Sequence, residues 1–143
     1  MRMKKLLCRI AITFTLLFTT SFSVQMINNT NVSQAAKNYY AKYNCTWYVF
    51  NKRAQVHKPI PNGWGNAKYW YTNAKRSGYR VGTKPVPRAI LQSTAGYYGH
   101  VAFVETVYRN GSIKISEYNY SRAHAYGTRT LSKSTAKKYR YIY

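Results

Sequence analysis

The sequence predicts an α+β domain in which N-terminal helices pack on an antiparallel β-sheet. Two changes of pattern carry that prediction. Between residues 45 and 78 apolar side chains recur at helical spacing, whereas from residue 89 onward they alternate or gather in β-branched runs. An Asn-Gly pair at 110–111 separates two such runs and is a strong hairpin signal. Helices first and strands afterwards is an α+β order rather than an alternating α/β one.

The chain opens on a leader. "MRMKKLLCR" supplies four positive charges, "IAITFTLLF" follows as a short apolar run, and "SQA" at 33–35 offers small residues for a signal peptidase. A secretory signal over residues 1–35 is expected, cut after Ala35. The apolar run is too short for a membrane span, and none is expected in the mature chain. Cys8 leaves with the leader, because it precedes the apolar run, on the wrong side for lipid attachment. Residues 36–143 then form one domain of 108 residues, enough for a modest core. They carry 19 Lys and Arg against only Glu105 and Glu117, a net charge of +17. Such a surface seeks polyanions. Outside a cell these are wall polymers such as teichoic acid, anionic lipid or stray nucleic acid. All 16 tyrosines follow the leader, giving a basic surface with flat faces suited to stacking.

The first helix is expected from Cys45 to about Val56, with Asn44 at the N-cap. Trp47, Phe50 and Ala54 form one stripe and Cys45, Val49 and Val56 another, so this helix reads as buried on two sides. "HKPIPNG" ends it in a loop. A second helix starts at Asn66 and stops at Gly78. "AILQS" (89–93), "HVAFVETVY" (100–108) and "SIKISEYNY" (112–120) read as strands. "GTRTLS" and "YRYIY" add two edge strands.

One mature cysteine excludes an intrachain disulfide framework. Three histidines and two carboxylates show no metal-ligand spacing, so no metal or other cofactor is expected. The chemistry that remains is nucleophilic. Alternation puts His100, Ala102, Val104 and Thr106 on one face of their strand, and Ile113, Ile115, Glu117 and Asn119 on one face of the next. A two-residue turn sets Val104 opposite Glu117. A four-residue loop sets Ala102 opposite Glu117 and His100 opposite Asn119. Either way His100, Glu117 and Asn119 share one side of the sheet. Only the longer loop brings Glu117 within side-chain reach of His100, and spacing leaves open which polar group holds the imidazole. Cys45, in the first turn of its helix, faces the positive end of the backbone dipole, which favours thiolate. A helix packed on the sheet delivers it to His100, and its backbone N–H is a natural oxyanion donor. That set fits amide hydrolysis through a thioester.

"NCTWYVF", "WGNAKYW", "AILQSTAGYYGHVAFVE" and "ISEYNY", in that order, resemble a CHAP domain, the cysteine- and histidine-dependent amidohydrolase/peptidase family, and within it the staphylococcal secretory antigen group of autolysins. The resemblance runs from about Tyr39 to the C-terminus. It implies a papain-like fold and cleavage of peptidoglycan amides. It places the nucleophile on Cys45, the general base on His100, the third member on Glu117 and a supporting amide on Asn119, which favours the longer loop. Asn44 stands where the family usually has Gln, and Arg88 where it prefers Gly. No aspartate exists for the calcium site that some relatives carry. The implied protein is a secreted, wall-associated autolysin and a monomer, with N-acetylmuramoyl-L-alanine amidase placed ahead of cross-bridge endopeptidase. A non-catalytic basic wall-binding antigen is the rival, and a nucleic-acid partner is not expected. His57 and His124 read as solvated, Glu105 as structural, Trp47 as core, and Tyr97 and Tyr98 as cleft residues.

Overall fold

In the computed structural model, which describes residues 36–143, the first element is helix α1, Cys45–Gln55. The expected leader, with Cys8, lies outside the described residues. Asn44 holds the N-cap position with extended backbone, yet its side chain makes no capping bond. Helix α1 buries one face, through Val49, Phe50 and Arg53. The two-sided burial suggested by the sequence does not occur, since Ala54 and Val56 are only half-buried. Arg53 is covered because its guanidinium donates to the carbonyls of Lys58 and Arg88, fixed acceptors that replace water. Trp47 is half-buried rather than core, packed on the rings of Tyr43 and Tyr118.

The second helical region splits. A 3-10 turn at Ala67–Tyr69 runs into helix α2, Trp70–Arg76, and Gly78 follows in the left-handed region. Trp70 is fully buried, its indole N–H donating to the Gly65 carbonyl.

Six strands follow: β1 (Val81–Gly82), β2 (Ile90–Ser93), β3 (His100–Val107), β4 (Ile113–Tyr118), β5 (Tyr126–Leu131) and β6 (Arg140–Ile142). They form one sheet in the order β1-β6-β2-β3-β4-β5, and its pairs are antiparallel. The C-terminal strand, expected at an edge, is internal and pairs with both β1 and β2. Buried Tyr141 and Ile142 account for that position. A single helical turn, α3 (Lys133–Ala136), is capped by Ser132 and joins β5 to β6. Helices α1 and α2 cover one face of the sheet, with Val49, Phe50 and Trp70 in a cluster with Ile90, Val101 and Ile142. Leu91, Ala102, Val104, Ile113 and Ile115 fill the other face, with Ala136 of α3.

The β3–β4 hairpin sets where the site assembles. Tyr108 N–H donates to the Ser112 carbonyl and Gly111 N–H to the Tyr108 carbonyl, so the loop is the three residues Arg109–Gly111. Gly111 has φ of 81°, the left-handed conformation such a loop requires of its last residue. This is neither of the loops considered from the sequence. Near it, Val107 pairs with Ile113 and Thr106 with Lys114. A bulge at Glu105 then takes up one residue, so Val104 pairs with Ile115 and Phe103 with Ser116. Beyond the bulge the register is the one the four-residue loop would have given.

Arg88 forms a second irregularity. Its N–H donates to Val104 while Val104 N–H donates to Ala89, and Arg88 has φ of 67°. A side chain in this region costs roughly 1–2 kcal/mol, and glycine returns part of that as lost chain entropy, about 0.5–1 kcal/mol. Arg88→Gly is therefore expected to stabilise the domain by about 0.5–1 kcal/mol, read as a melting temperature a few degrees higher. An unchanged or lower melting temperature would mean the position is not strained.

Candidate active site

Helix α1 lies over the face of the sheet that carries Phe103 and Ser116. The Tyr48 hydroxyl donates to Ser116 Oγ, and the Lys52 ammonium lies 5.3 Å from the Phe103 ring centre. Ser116 also donates to Glu105, which accepts Lys52 at 2.9 Å. Glu105 thus pins the helix to the sheet and has the structural role its position in the strand suggested. His100 and Glu117 stand one residue out of step with Phe103 and Ser116. They meet the N-terminus of α1 only at the end of the sheet, where β3 begins and β4 ends.

There the sulfur, the imidazole and the carboxylate come together. His100 Nε2 lies 2.8 Å from Glu117 Oε2. Cys45 lines the same cleft as His100 and lies close enough for the imidazole to act on its thiol, and with Nε2 committed to Glu117 the ring nitrogen left to face the sulfur is Nδ1. Cys45 is half-buried, the His100 side chain is 12% exposed and Glu117 only 2%. The choice left open by spacing is settled: Glu117 holds the ring.

Asn119 does something else. It lies just past β4 with φ of 58°, so it has left the strand and its alternation. The backbone N–H of His124 donates to Asn119 Oδ1 at 3.0 Å, which fixes the amide with Nδ2 as donor. Nδ2 then donates to Asn44 Oδ1 at 2.7 Å. Asn119 therefore ties the β4–β5 loop to the N-cap of α1, and Asn44 spends its oxygen there instead of capping the helix. Asn44 Nδ2 has no partner among the described residues.

Arg129 on β5 is the residue that sequence reasoning missed. Its Nε donates to Glu117 Oε1 at 2.5 Å and a second nitrogen to Oε2 at 3.1 Å. A signal existed. A buried carboxylate needs a cationic partner, and Arg129 stands opposite Ile115, on the same face as Glu117.

Charge follows this geometry. Burial pushes the Cys45 thiol up and is the largest influence, but the hydrogen bond and charge of His100 and the N–H groups of Val101 and Thr46 together bring it below the ordinary thiol range. Burial pushes His100 down, yet its bonds to Cys45 and Glu117 raise it to about 9. Burial likewise pushes Glu117 up, and His100 and Arg129 outweigh it and hold the carboxyl low. These directions favour a thiolate beside an imidazolium, backed by a carboxylate.

The pair opens on a cleft of about 710 Å³, lined by Tyr39, Asn44, Gly65, Tyr97, Tyr98 and Asn119 among others. Tyr97 and Tyr98 take the cleft positions expected of them. Gly99 lets their loop lie against the 3-10 turn, since a Cβ there would fall 2.5 Å from the Lys68 nitrogen. His57 and His124 are exposed. Among the described residues, no three His, Cys or carboxylate side chains gather as a metal site.

The CHAP domain family model matches residues 34–119. The chain belongs to the CHAP domain family. It is 53% identical over 100 residues to the N-acetylmuramoyl-L-alanine amidase sle1 of Staphylococcus saprophyticus, covering 69% of this chain and 31% of that protein. It is 44% identical over 126 residues to the staphylococcal secretory antigen SsaA of Staphylococcus epidermidis, covering 87% and 48%. The crystal structure of an N-acetylmuramoyl-L-alanine amidase from Staphylococcus aureus superposes with a TM-score of 0.67 at 37% identity, over 69% of this chain and 30% of that one. This CHAP domain chain thus spans less than half the length of these relatives.

A thiolate alkylates faster than a thiol, so the pair has a direct readout. Iodoacetamide is expected to modify Cys45 of the native chain rapidly at pH 6–7, followed by peptide mapping. His100→Ala is expected to slow this at least about tenfold. Equal rates in the two proteins would show that the imidazole does not activate the sulfur.

Proposed function

We propose that this CHAP domain is a secreted peptidoglycan hydrolase that cleaves wall amides through a thioester on Cys45, with the N-acetylmuramoyl-L-alanine bond ahead of cross-bridge bonds. The observation that carries the reading is that Cys45 and His100 line one open cleft while Glu117 holds the imidazole at 2.8 Å. The thiolate attacks the amide carbonyl. The first-turn N–H of Cys45 receives the developing oxyanion, as such amides have no partner within the helix. Imidazolium His100 gives its proton to the leaving amine as the C–N bond breaks, leaving an acyl thioester. Neutral His100 then takes a proton from water, which attacks the thioester and releases acid and thiolate. Glu117 keeps the ring aligned throughout. Asn119 supports the site by fixing Asn44 beside the nucleophile. Exposed Tyr39, Tyr97 and Tyr98 on the cleft suit stacking on sugar rings. The names of the staphylococcal relatives favour the amidase assignment.

Export follows from the leader over residues 1–35, and a monomer suffices because the site lies within residues 36–143. The net charge of +17 suits attachment to anionic wall polymers such as teichoic acid. Retention on intact walls is expected to exceed retention on walls stripped of teichoic acid, and to weaken with salt. Equal retention on both would remove that partner.

Cys45→Ala is expected to abolish fragment release from purified peptidoglycan, and Glu117→Gln to lower kcat by roughly 10²-fold or more. Mass spectrometry of the fragments assigns the bond. New N-terminal L-alanine marks an amidase and new N-terminal glycine a cross-bridge endopeptidase. Undiminished release by Cys45→Ala would overturn the reading, and wall binding with no turnover by the wild type would favour a non-catalytic antigen.

The active form carries one proton on the pair. As pH falls the thiolate is protonated, and as pH rises through about 9 the imidazolium is lost. A bell-shaped kcat/KM is expected, with its alkaline limb near 9 and both limbs belonging to the coupled pair. An alkaline limb near the ordinary histidine range would contradict the pairing.

A further inference from the structure

The geometry points to a positioning role for Arg129. We propose that it acts through Glu117, locking the carboxylate in the orientation that His100 needs and drawing off enough of its charge for the imidazolium to release a proton to the leaving amine. This rests on the hydrolase reading above and assigns a further residue to it.

Three observations carry the inference. First, the guanidinium uses two nitrogens on one carboxylate. Nε takes Oε1, and a second nitrogen shares Oε2 with His100. Such a fork fixes the carboxylate plane as well as its position. Second, the register makes room for it. Gly127 stands directly opposite Glu117 and brings no side chain, so Arg129 reaches in diagonally from opposite Ile115. Third, the guanidinium is itself held from the other side. Its central carbon lies 3.6 Å from the ring centre of Tyr120, and that ring lies 4.9 Å from the imidazole of His100. Tyr120 therefore contacts both ends of the Arg129–Glu117–His100 chain.

The charge argument has a definite sign. His100 faces the Cys45 sulfur from α1, Glu117 from β4 and Tyr120 from the β4–β5 loop, while Arg129 faces Glu117, Tyr120 and Tyr139. A buried carboxylate with no counter-charge other than the imidazolium would bind that proton too tightly. The ring would then be a poor acid toward the amine. A guanidinium on the far side of the carboxylate tempers this, while the fork keeps Oε2 aimed at Nε2.

Arg129→Met and Arg129→Lys separate the two contributions, with kcat, KM and the pH profile measured on soluble peptidoglycan fragments. Arg129→Met is expected to lower kcat about 10- to 100-fold with KM within about twofold, and to move the alkaline limb of kcat/KM up by about one pH unit. Arg129→Lys restores the charge without the fork, so the limb is expected to return near the wild-type position while kcat stays several-fold low. Wild-type kcat and limb in Arg129→Met would overturn the proposal, as would a limb that moves down. If Arg129→Met fails to fold by circular dichroism, the lysine variant decides: a full wild-type kcat there removes the role of the fork. These outcomes presuppose an active wild type that Cys45→Ala silences, so failure of the hydrolase reading is seen first and separately.

Discussion

A carboxylate buried to 2% exposure sets the terms for the rest of this molecule. Removing one partner of a buried ion pair costs about 3–5 kcal/mol, because the remaining charge has no water to turn to. Glu117 is therefore tolerable only while His100 and Arg129 both reach it. Each of those contacts depends on a different stretch of chain. The bulge at Glu105 brings β3 into the register that lets His100 meet Glu117. The β4–β5 pairing places Arg129 beside the same carboxylate. The helix then adds the sulfur from a third direction. Strands β3 and β5 are thus bound directly to one group on β4, and helix α1 is joined to it through His100, which makes the site a structural keystone as well as a chemical one.

The same coupling explains how a domain with only two acids organises its surplus of cations. Both carboxylates are spent inside the fold: Glu105 joins α1 to the sheet through Lys52 and Ser116, and Glu117 serves the imidazole and Arg129. Other cations rest on aromatic faces, as Lys68 does over Tyr69 and Tyr97, and Arg140 over Tyr71. Tyrosine gives such a charge a weakly attractive surface without neutralising it. The net positive charge thus remains available to anionic partners.

Helix α1, the five strands from residue 89 onward and the shared face of His100 and Glu117 were legible in the sequence, because they follow from periodicity; the two-residue strand β1 and the single turn α3 are too short to show one. The register was not. Asn-Gly suggested a two-residue turn, and the actual three-residue loop and the bulge at Glu105 each shift the pairing by one in the same direction, which no local pattern in β3 announces. Asn119 illustrates the same limit. Strand alternation put it beside His100, whereas its left-handed backbone turned it toward Asn44. Arg53 and Arg129 are two of the 19 Lys and Arg in residues 36–143, with nothing in the local pattern to single them out, and only the carbonyls and the carboxylate that surround them show why they are covered. The tyrosine cleft at 97–98 was legible because it adjoins the histidine; Tyr39 entered it through the packing of the lead-in segment, which the sequence did not indicate.

The protonation state of His100 in the resting protein is the most direct test of whether the buried carboxylate sustains a thiolate–imidazolium pair. Nitrogen-15 chemical shifts of its imidazole, measured at pH 7.5 without substrate, report it. Both ring nitrogens are expected to be protonated in the wild type, and only one in Glu117→Gln. A neutral imidazole in the wild type would contradict the pair and with it the chemistry built on Cys45.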